Sequence, residues 1–240
     1  MFDGPAGVEE FHRNGLEFLE IYRNLCSLSR RGERVLDVGS GIGRKTLQLT
    51  SYFEADASYV GIDTSAKGIE WCNEHIASRF PNFTFTHVDV ANRLYNPSGR
   101  VKPCDFRFPF GDRSFTFVML GSVFTHMMPP DVVHYLSEVA RVLEPGKRCL
   151  ISYFLLNDES RALLSSGGSE LAFRSASDGY ATTSPEVPER AVAFEESFVT
   201  RLYRDAGLQI ERVEYGSWCG RQRYMSYQDL ILATKYESNA

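Results

Sequence analysis

The sequence predicts an α/β protein in which a mostly parallel sheet is covered by helices on both faces. Strand and helix periodicities alternate along most of the 240 residues, and an apolar run ending at Val38 leads directly into a glycine-rich turn. Near the end of the chain two strands follow one another without a helix between them, which predicts an antiparallel hairpin at one edge. Taken in order, Phe11, Leu16, Phe18, Leu19, Tyr22 and Leu25 recur at helical spacing between charges, so an amphipathic helix from about Val8 to Leu28 precedes the first strand. Strands are expected at 34–38, 58–62, 83–88, 115–121 and 147–155, where short apolar runs are bounded by turn residues. Helices are expected at 44–53, 66–79 and 130–143. A helix at about 195–206, closed by Gly207, leads into final strands at about 208–215 and 227–235.

Residues 91–107 and 157–190 carry Gly, Pro and Ser clusters and fall outside the repeat. Both follow the C-terminal ends of strands, the edge at which open α/β sheets bind ligands, so residues 157–190 are expected to build a substrate pocket or lid. Residues 1–30 are expected to form a helical cap on what is otherwise a single domain spanning 1–240.

Hydrophobic residues make up 43% of the chain, enough for a substantial core, and a net charge of −5 gives no electrostatic case for a nucleic-acid partner. Cys26, Cys72, Cys104, Cys149 and Cys219 are odd in number and contain no C-x-x-C pair, so free thiols are expected instead of a disulfide framework or a zinc site. The start, Met1-Phe2-Asp3-Gly4-Pro5, has neither a basic n-region nor an apolar h-region, and no apolar run approaches the roughly 18 residues of a membrane span. A cytoplasmic chain without a membrane partner is expected, and homo-oligomer formation is compatible with the sequence.

Val35-Leu36-Asp37-Val38-Gly39-Ser40-Gly41-Ile42-Gly43 reads as a buried strand running into a turn with three alternate glycines, which removes Cβ atoms where a ligand would touch backbone. A helix expected from about Arg44 would aim free N–H groups into the same space. Asp63, closing Tyr59-Val60-Gly61-Ile62, is spaced like a carboxylate that accepts from ribose hydroxyls. An adenosine-bearing cofactor follows. The dinucleotide fingerprint G-x-G-x-x-G needs a glycine where this chain has Arg44, which disfavours a nicotinamide-dependent oxidoreductase.

The pattern G-x-G-x-G with its preceding strand resembles the first motif of the class I S-adenosylmethionine-dependent methyltransferases. Val60-Gly61-Ile62-Asp63-Thr64-Ser65 and Phe85-Thr86-His87-Val88-Asp89-Val90 are similar to that family's ribose and adenine segments. Phe108 to Val118 resembles the lead-in to its fourth strand, and Arg141-Val142-Leu143-Glu144-Pro145-Gly146-Lys147 the turn into its fifth. The resemblance implies a Rossmann-like seven-stranded sheet in the order 3-2-1-4-5-7-6 with the seventh strand antiparallel, S-adenosylmethionine as cofactor and S-adenosylhomocysteine as product. It places Asp37 at the amino group of the methionine part, Gly39, Ser40, Gly41 and Gly43 along the backbone cradle, and Asp63 at the ribose. Thr64 belongs with this set, although Thr64 or Ser65 also reads as the cap of the next helix. Asp89 and Val90 are placed at the adenine, and Gly121 and Ser122 near the methionine and the sulfonium.

A sulfonium methyl is already activated, so alignment and exclusion of water carry most of the chemistry, while an alcohol acceptor gains from a base. His126, just beyond the fourth strand, is the candidate catalytic base, against the alternative that its ring braces the loop. His12, His75, His87 and His134 fall on regular elements and read as structural. Spacing assembles no metal-ligand cluster, and no metal is expected. Arg174, Tyr180, Trp218 and Arg221 offer stacking faces and charged donors for a sugar or glycosylated acceptor, with a packed edge hairpin as the alternative for Trp218 and Arg221. The function expected is methyl transfer to a hydroxyl of a small molecule or glycan; an N-methyltransferase and a non-catalytic S-adenosylmethionine-binding protein remain as alternatives.

Overall fold

Val35, Leu36 and Val38 are buried in β1 (Arg34–Val38), the strand around which the sheet is assembled. The computed structural model describes residues 7–177 and 179–237; residues 1–6, part of the expected helical cap and the start of the chain read for a leader, lie outside the described residues, as does Asp178. β1 pairs parallel with β2 (Ser58–Asp63), which pairs with β3 (Phe83–His87). On its other side β1 pairs with β4 (Phe115–Leu120), followed by β5 (Leu143–Tyr153). Four short strands come next: β6 (Leu155–Leu156), β7 (Arg174–Ser177), β8 (Tyr180–Thr182) and β9 (Val192–Glu195). They form a separate sheet in the order β6-β9-β8-β7. β10 (Leu208–Glu214) and β11 (Asp229–Lys235) return to the main sheet, with β11 antiparallel to β5 and β10 beyond it at the edge.

Counting main-sheet strands alone, the order β3-β2-β1-β4-β5-β11-β10 is the expected 3-2-1-4-5-7-6 with its last strand reversed. Both faces are covered, which is why β4 is buried along its whole length and apolar at every position but Thr116. Val118 and Leu120 face a core shared with Val139 of α4 (Pro129–Val142) and Tyr203 of α6 (Glu196–Asp205). Phe117 and Met119 face the opposite core, with Tyr22 of α1 (Val8–Asn24) and Ile69 of α3 (Ala66–Cys72). The period of two in β4 sorts its side chains between the two layers.

Two segments depart from expectation. The helix expected at 44–53 shrinks to α2 (Leu49–Tyr52), preceded by turns. Thr46 N–H and Leu49 N–H bond three residues back, to Gly43 and Thr46 carbonyls, while the Thr46 hydroxyl is drawn to Asp37. So short a helix lends no N-terminal dipole to the glycine turn, which corrects that part of the cofactor argument. Conversely, residues 157–190 are not one loop. Asn157 accepts from Ser160 N–H at 2.9 Å and Ser160 Oγ accepts from Asn157 N–H at 2.9 Å, a capping box that starts α5 (Asp158–Ser165), and β7 and β8 follow.

Candidate functional site

The C-terminal ends of β1, β2 and β4 open into a cavity of about 1210 Å³. That exceeds the roughly 300–1,000 Å³ of an ordinary ligand pocket and leaves room for a cofactor with a second molecule beside it. Gly39, Ser40, Gly41 and Ile42 line one wall. Gly39 and Gly41 have φ of 87° and 57°, values that side chains other than glycine adopt at a cost. A Cβ on Gly39 would meet Val123 at 2.3 Å, whereas one on Gly41 would meet nothing within 4 Å. Gly43 does not line the cavity. Its missing Cβ makes room for Ile76, which would otherwise lie at 2.7 Å, and its φ of 73° again favours glycine, so it serves packing and the turn.

Asp63, at the end of β2, accepts from Gly41 N–H and Ser65 N–H at 2.7 Å each and so fixes the glycine turn while facing the cavity. Burial raises its pKa, opposed by these two bonds. Asp37, 4% exposed, receives the Tyr59 hydroxyl at 2.6 Å and the Thr46 hydroxyl at 3.2 Å, both on Oδ2. Oδ1, on a residue that lines the cavity, is left as the open acceptor among the described residues. Burial pushes the carboxyl up to about 6, against the lowering by the Tyr59 bond and the Lys45 charge.

Gly121 and Ser122 follow β4 into the same cavity. Ser122 has a φ of 65°, a strained value for a non-glycine residue. A polar cluster holds it there: Ser122 N–H donates to Ser152 Oγ at 2.7 Å, and the Ser122 and Ser152 hydroxyls donate to Gln228 Oε1 at 2.9 and 2.7 Å. Gln228 and Lys45 also line the cavity; neither was singled out by sequence reasoning, because only the tertiary fold brings them beside Ser122.

His126 closes a short 3₁₀ turn, Phe124–His126, and faces the cavity. Its Nδ1 lies 2.9 Å from the Glu189 carbonyl, which can only accept, so the neutral ring carries its hydrogen on Nδ1 and a lone pair on Nε2. The Tyr95 hydroxyl is 3.4 Å from Nε2, and the Tyr95 ring meets the imidazole edge-on. Asn92 Nδ2 donates to the His126 carbonyl at 3.3 Å. Glu189 keeps Oε1 3.5 Å from Arg93, and its buried Oε2 has no hydrogen-bond partner among the described residues. Burial, and after it the Glu189 charge, raise the pKa of Asp131 on the same wall.

Of the residues expected at a cofactor, Asp37, Gly39, Ser40, Gly41, Asp63, Thr64, Val90, Gly121 and Ser122 line this cavity, and His126 joins them. Asp89 does not. The 91–107 segment folds back through a Val90–Val101 bridge, which turns the Asp89 carboxylate to Arg100 at 2.6 Å and Asn96 at 3.2 Å. The Arg100 guanidinium holds that carboxyl below its usual range, and Asp89 braces the loop. Arg174, Tyr180, Trp218 and Arg221 also stand outside the lining. Trp218 and Arg221 are buried around Asp229, because interior donors need an interior acceptor. The remaining histidines do not line the cavity either: His75 stacks on Trp71 at 4.6 Å, and His134 donates to the Phe106 carbonyl at 2.9 Å. Among the described residues no group of three or more His, Cys, Asp or Glu could hold a metal ion, and no helix is long and apolar enough to cross a membrane.

Residues 29–207 match the methyltransferase domain family. Among characterised proteins, the chain is 30% identical over 122 residues to O-methyltransferase cnsE of Penicillium expansum, covering 51% of this chain and 38% of that protein. It is 30% identical over 127 residues to 27-O-demethylrifamycin SV methyltransferase of Amycolatopsis mediterranei (strain S699), covering 53% and 40%. The matched stretch thus spans about two fifths of those relatives' length. The fold is that of magnesium protoporphyrin IX methyltransferase from Synechocystis PCC 6803, solved with bound SAH: the TM-score is 0.60 at 17% identity, over 98% of this chain and 90% of that one.

Proposed function

The chain belongs to the class I S-adenosylmethionine-dependent methyltransferases, and on that footing we propose that it moves a methyl group from S-adenosylmethionine to a hydroxyl of a small molecule. The observation that carries the proposal is His126, held in one tautomer by the Glu189 carbonyl, in the same cavity as the glycine turn. The relatives that methylate oxygen support a hydroxyl acceptor. Because Arg174, Tyr180, Trp218 and Arg221 stand outside the lining, a sugar or glycosylated acceptor loses the side chains that suggested it, and the proposal stops at a hydroxylated small molecule.

The cradle fits the cofactor. Open space faces Gly41, the Asp63 carboxylate keeps lone pairs for ribose hydroxyls, and Asp37 Oδ1 is available to an ammonium. Val90, the residue expected at the adenine, lines the cavity with Ala91 beside it. When bound, the cofactor supplies an activated methyl. His126 Nε2 takes the proton of the acceptor hydroxyl as that oxygen becomes nucleophilic, and Nδ1–H on the Glu189 carbonyl keeps the ring from turning. His126→Asn is expected to keep S-adenosylhomocysteine affinity and lose about 10²–10⁴-fold in turnover under conditions where chemistry limits the rate. Turnover within a few-fold of the native chain would reduce His126 to a brace for the loop. An amine acceptor is the second reading, favoured by the unpartnered Glu189 Oε2 with Asp131 on the same wall. A library of alcohols and amines, scored by methylated product, separates the two.

A pH dependence follows from Asp37. Its carboxyl titrates near 6 in the free protein, and an ammonium ligand favours the ionised form. Binding therefore releases a proton near and below pH 6. Calorimetric affinity for S-adenosylhomocysteine is expected to fall by up to about tenfold per unit as pH drops below 6. A profile of the opposite slope would remove Asp37 from the ammonium.

A further inference from the structure

Lys45 lines the glycine-turn wall next to Arg44, and the sequence did not single it out. Its side chain leaves the turn after Gly43, and its Nζ lies above the Phe18 ring of α1 at 4.8 Å from the centroid. It lies 3.5 Å from Ser122 Oγ, the far end of hydrogen-bond range, and no carboxylate comes within ion-pair distance of it among the described residues. Space for the ammonium is left just beyond β4, since a Cβ on Gly121 would stand 2.2 Å from Nζ. A lysine with three donors thus meets one long hydroxyl contact and a ring face inside a large cavity.

We propose that Lys45 reads the carboxylate of the ligand's amino-acid end, so that Lys45 and Asp37 form a charge pair complementary to a zwitterionic α-amino acid. In naming that end as the methionine part of the cofactor, the assignment rests on the methyltransferase reading. Asp37 has the acceptor for the ammonium and Lys45 the donors for the carboxylate. The two belong to one wall, between the end of β1 and the end of β4. Burial takes the free Lys45 ammonium down to about 8, against the pull of the Asp37 charge, so the free cavity holds this cation at a cost that an anionic ligand group relieves. Phe18 covers the ammonium from α1, which gives the N-terminal helix a direct part in the site.

The test is calorimetry on the intact chain with two ligands that share a nucleoside. S-adenosylhomocysteine carries the amino-acid end, and 5′-methylthioadenosine lacks it. Lys45→Met is expected to weaken S-adenosylhomocysteine by about ten- to a hundredfold, in line with a charge-assisted bond, and to leave 5′-methylthioadenosine within about twofold. Lys45→Arg is expected to restore most of the loss. The 5′-methylthioadenosine arm also reports that the variant is folded around the nucleoside. An unchanged S-adenosylhomocysteine affinity, or equal losses for both ligands, overturns the Lys45 assignment alone. If the native chain binds neither ligand, the methyltransferase reading falls and takes this assignment with it.

Discussion

Asp229→Ala is expected to destabilise the fold by about 3–5 kcal/mol, the range found when one partner of a buried ion pair is removed. Asp229 is fully buried, and its two oxygens accept four donors. Leu155 N–H and Trp218 Nε1–H reach Oδ2 at 2.7 Å; Gly216 N–H at 2.7 Å and Arg221 Nη1 at 3.2 Å reach Oδ1. Alanine leaves three interior N–H groups unpaired and strands Arg221, itself buried, with Glu159 as its remaining carboxylate. Urea unfolding measures the effect, and a loss below about 1 kcal/mol would contradict it. The sign of the pH dependence is also fixed. Burial pushes Asp229 up to about 6 from an unfolded value near 3.8, so between those values the native chain holds more protons than the unfolded one. This group's share of stability is therefore present below that window and is lost as pH rises through it. That slope should vanish in the alanine variant.

Gly41→Val is expected to abolish S-adenosylhomocysteine binding while leaving the sheet intact. The backbone at a φ of 57° costs an ordinary residue roughly 1–2 kcal/mol and a β-branched one more. Because nothing lies within 4 Å of the Cβ position, the two methyls enter the cavity instead of colliding with protein, so the loss falls on the ligand. Native circular dichroism with undiminished affinity would mean that this turn does not approach the cofactor.

Strand order and the glycine turn were legible because they rest on local signals. Apolar runs fix the strands, and Gly39 and Gly41 stand where the chain takes positive φ. Asp63 was legible for the same reason, as its position follows from strand length. Asp89 was not: whether its carboxylate faces the cavity or Arg100 depends on how residues 91–107 fold back, which no periodicity encodes. For Trp218 and Arg221 the sequence left ligand contact and a packed edge hairpin open, and the packed alternative holds because an interior acceptor, Asp229, sits eleven and eight residues further along the chain. Where the expected helix after Gly43 is shortened, the Thr46 hydroxyl goes to Asp37, a contact that a helical pattern cannot anticipate. Lys45 and Gln228 meet at Ser122, which is 77 and 106 residues away from them, so sequence spacing does not show them as neighbours.

The anchoring of the 215–228 connection bears on which of its positions can vary. Asp229 pins its start through Gly216 and Trp218, and Gln228 ties its end to the Ser122 cluster. Between these anchors Gln222, Arg223, Tyr224 and Met225 are exposed, and Tyr227 stands at the cavity mouth. Exposed positions of this kind change identity within about 0.5 kcal/mol. The span can therefore vary in sequence at little cost to the fold, up to Ser226 and Tyr227, where it reaches the cavity wall.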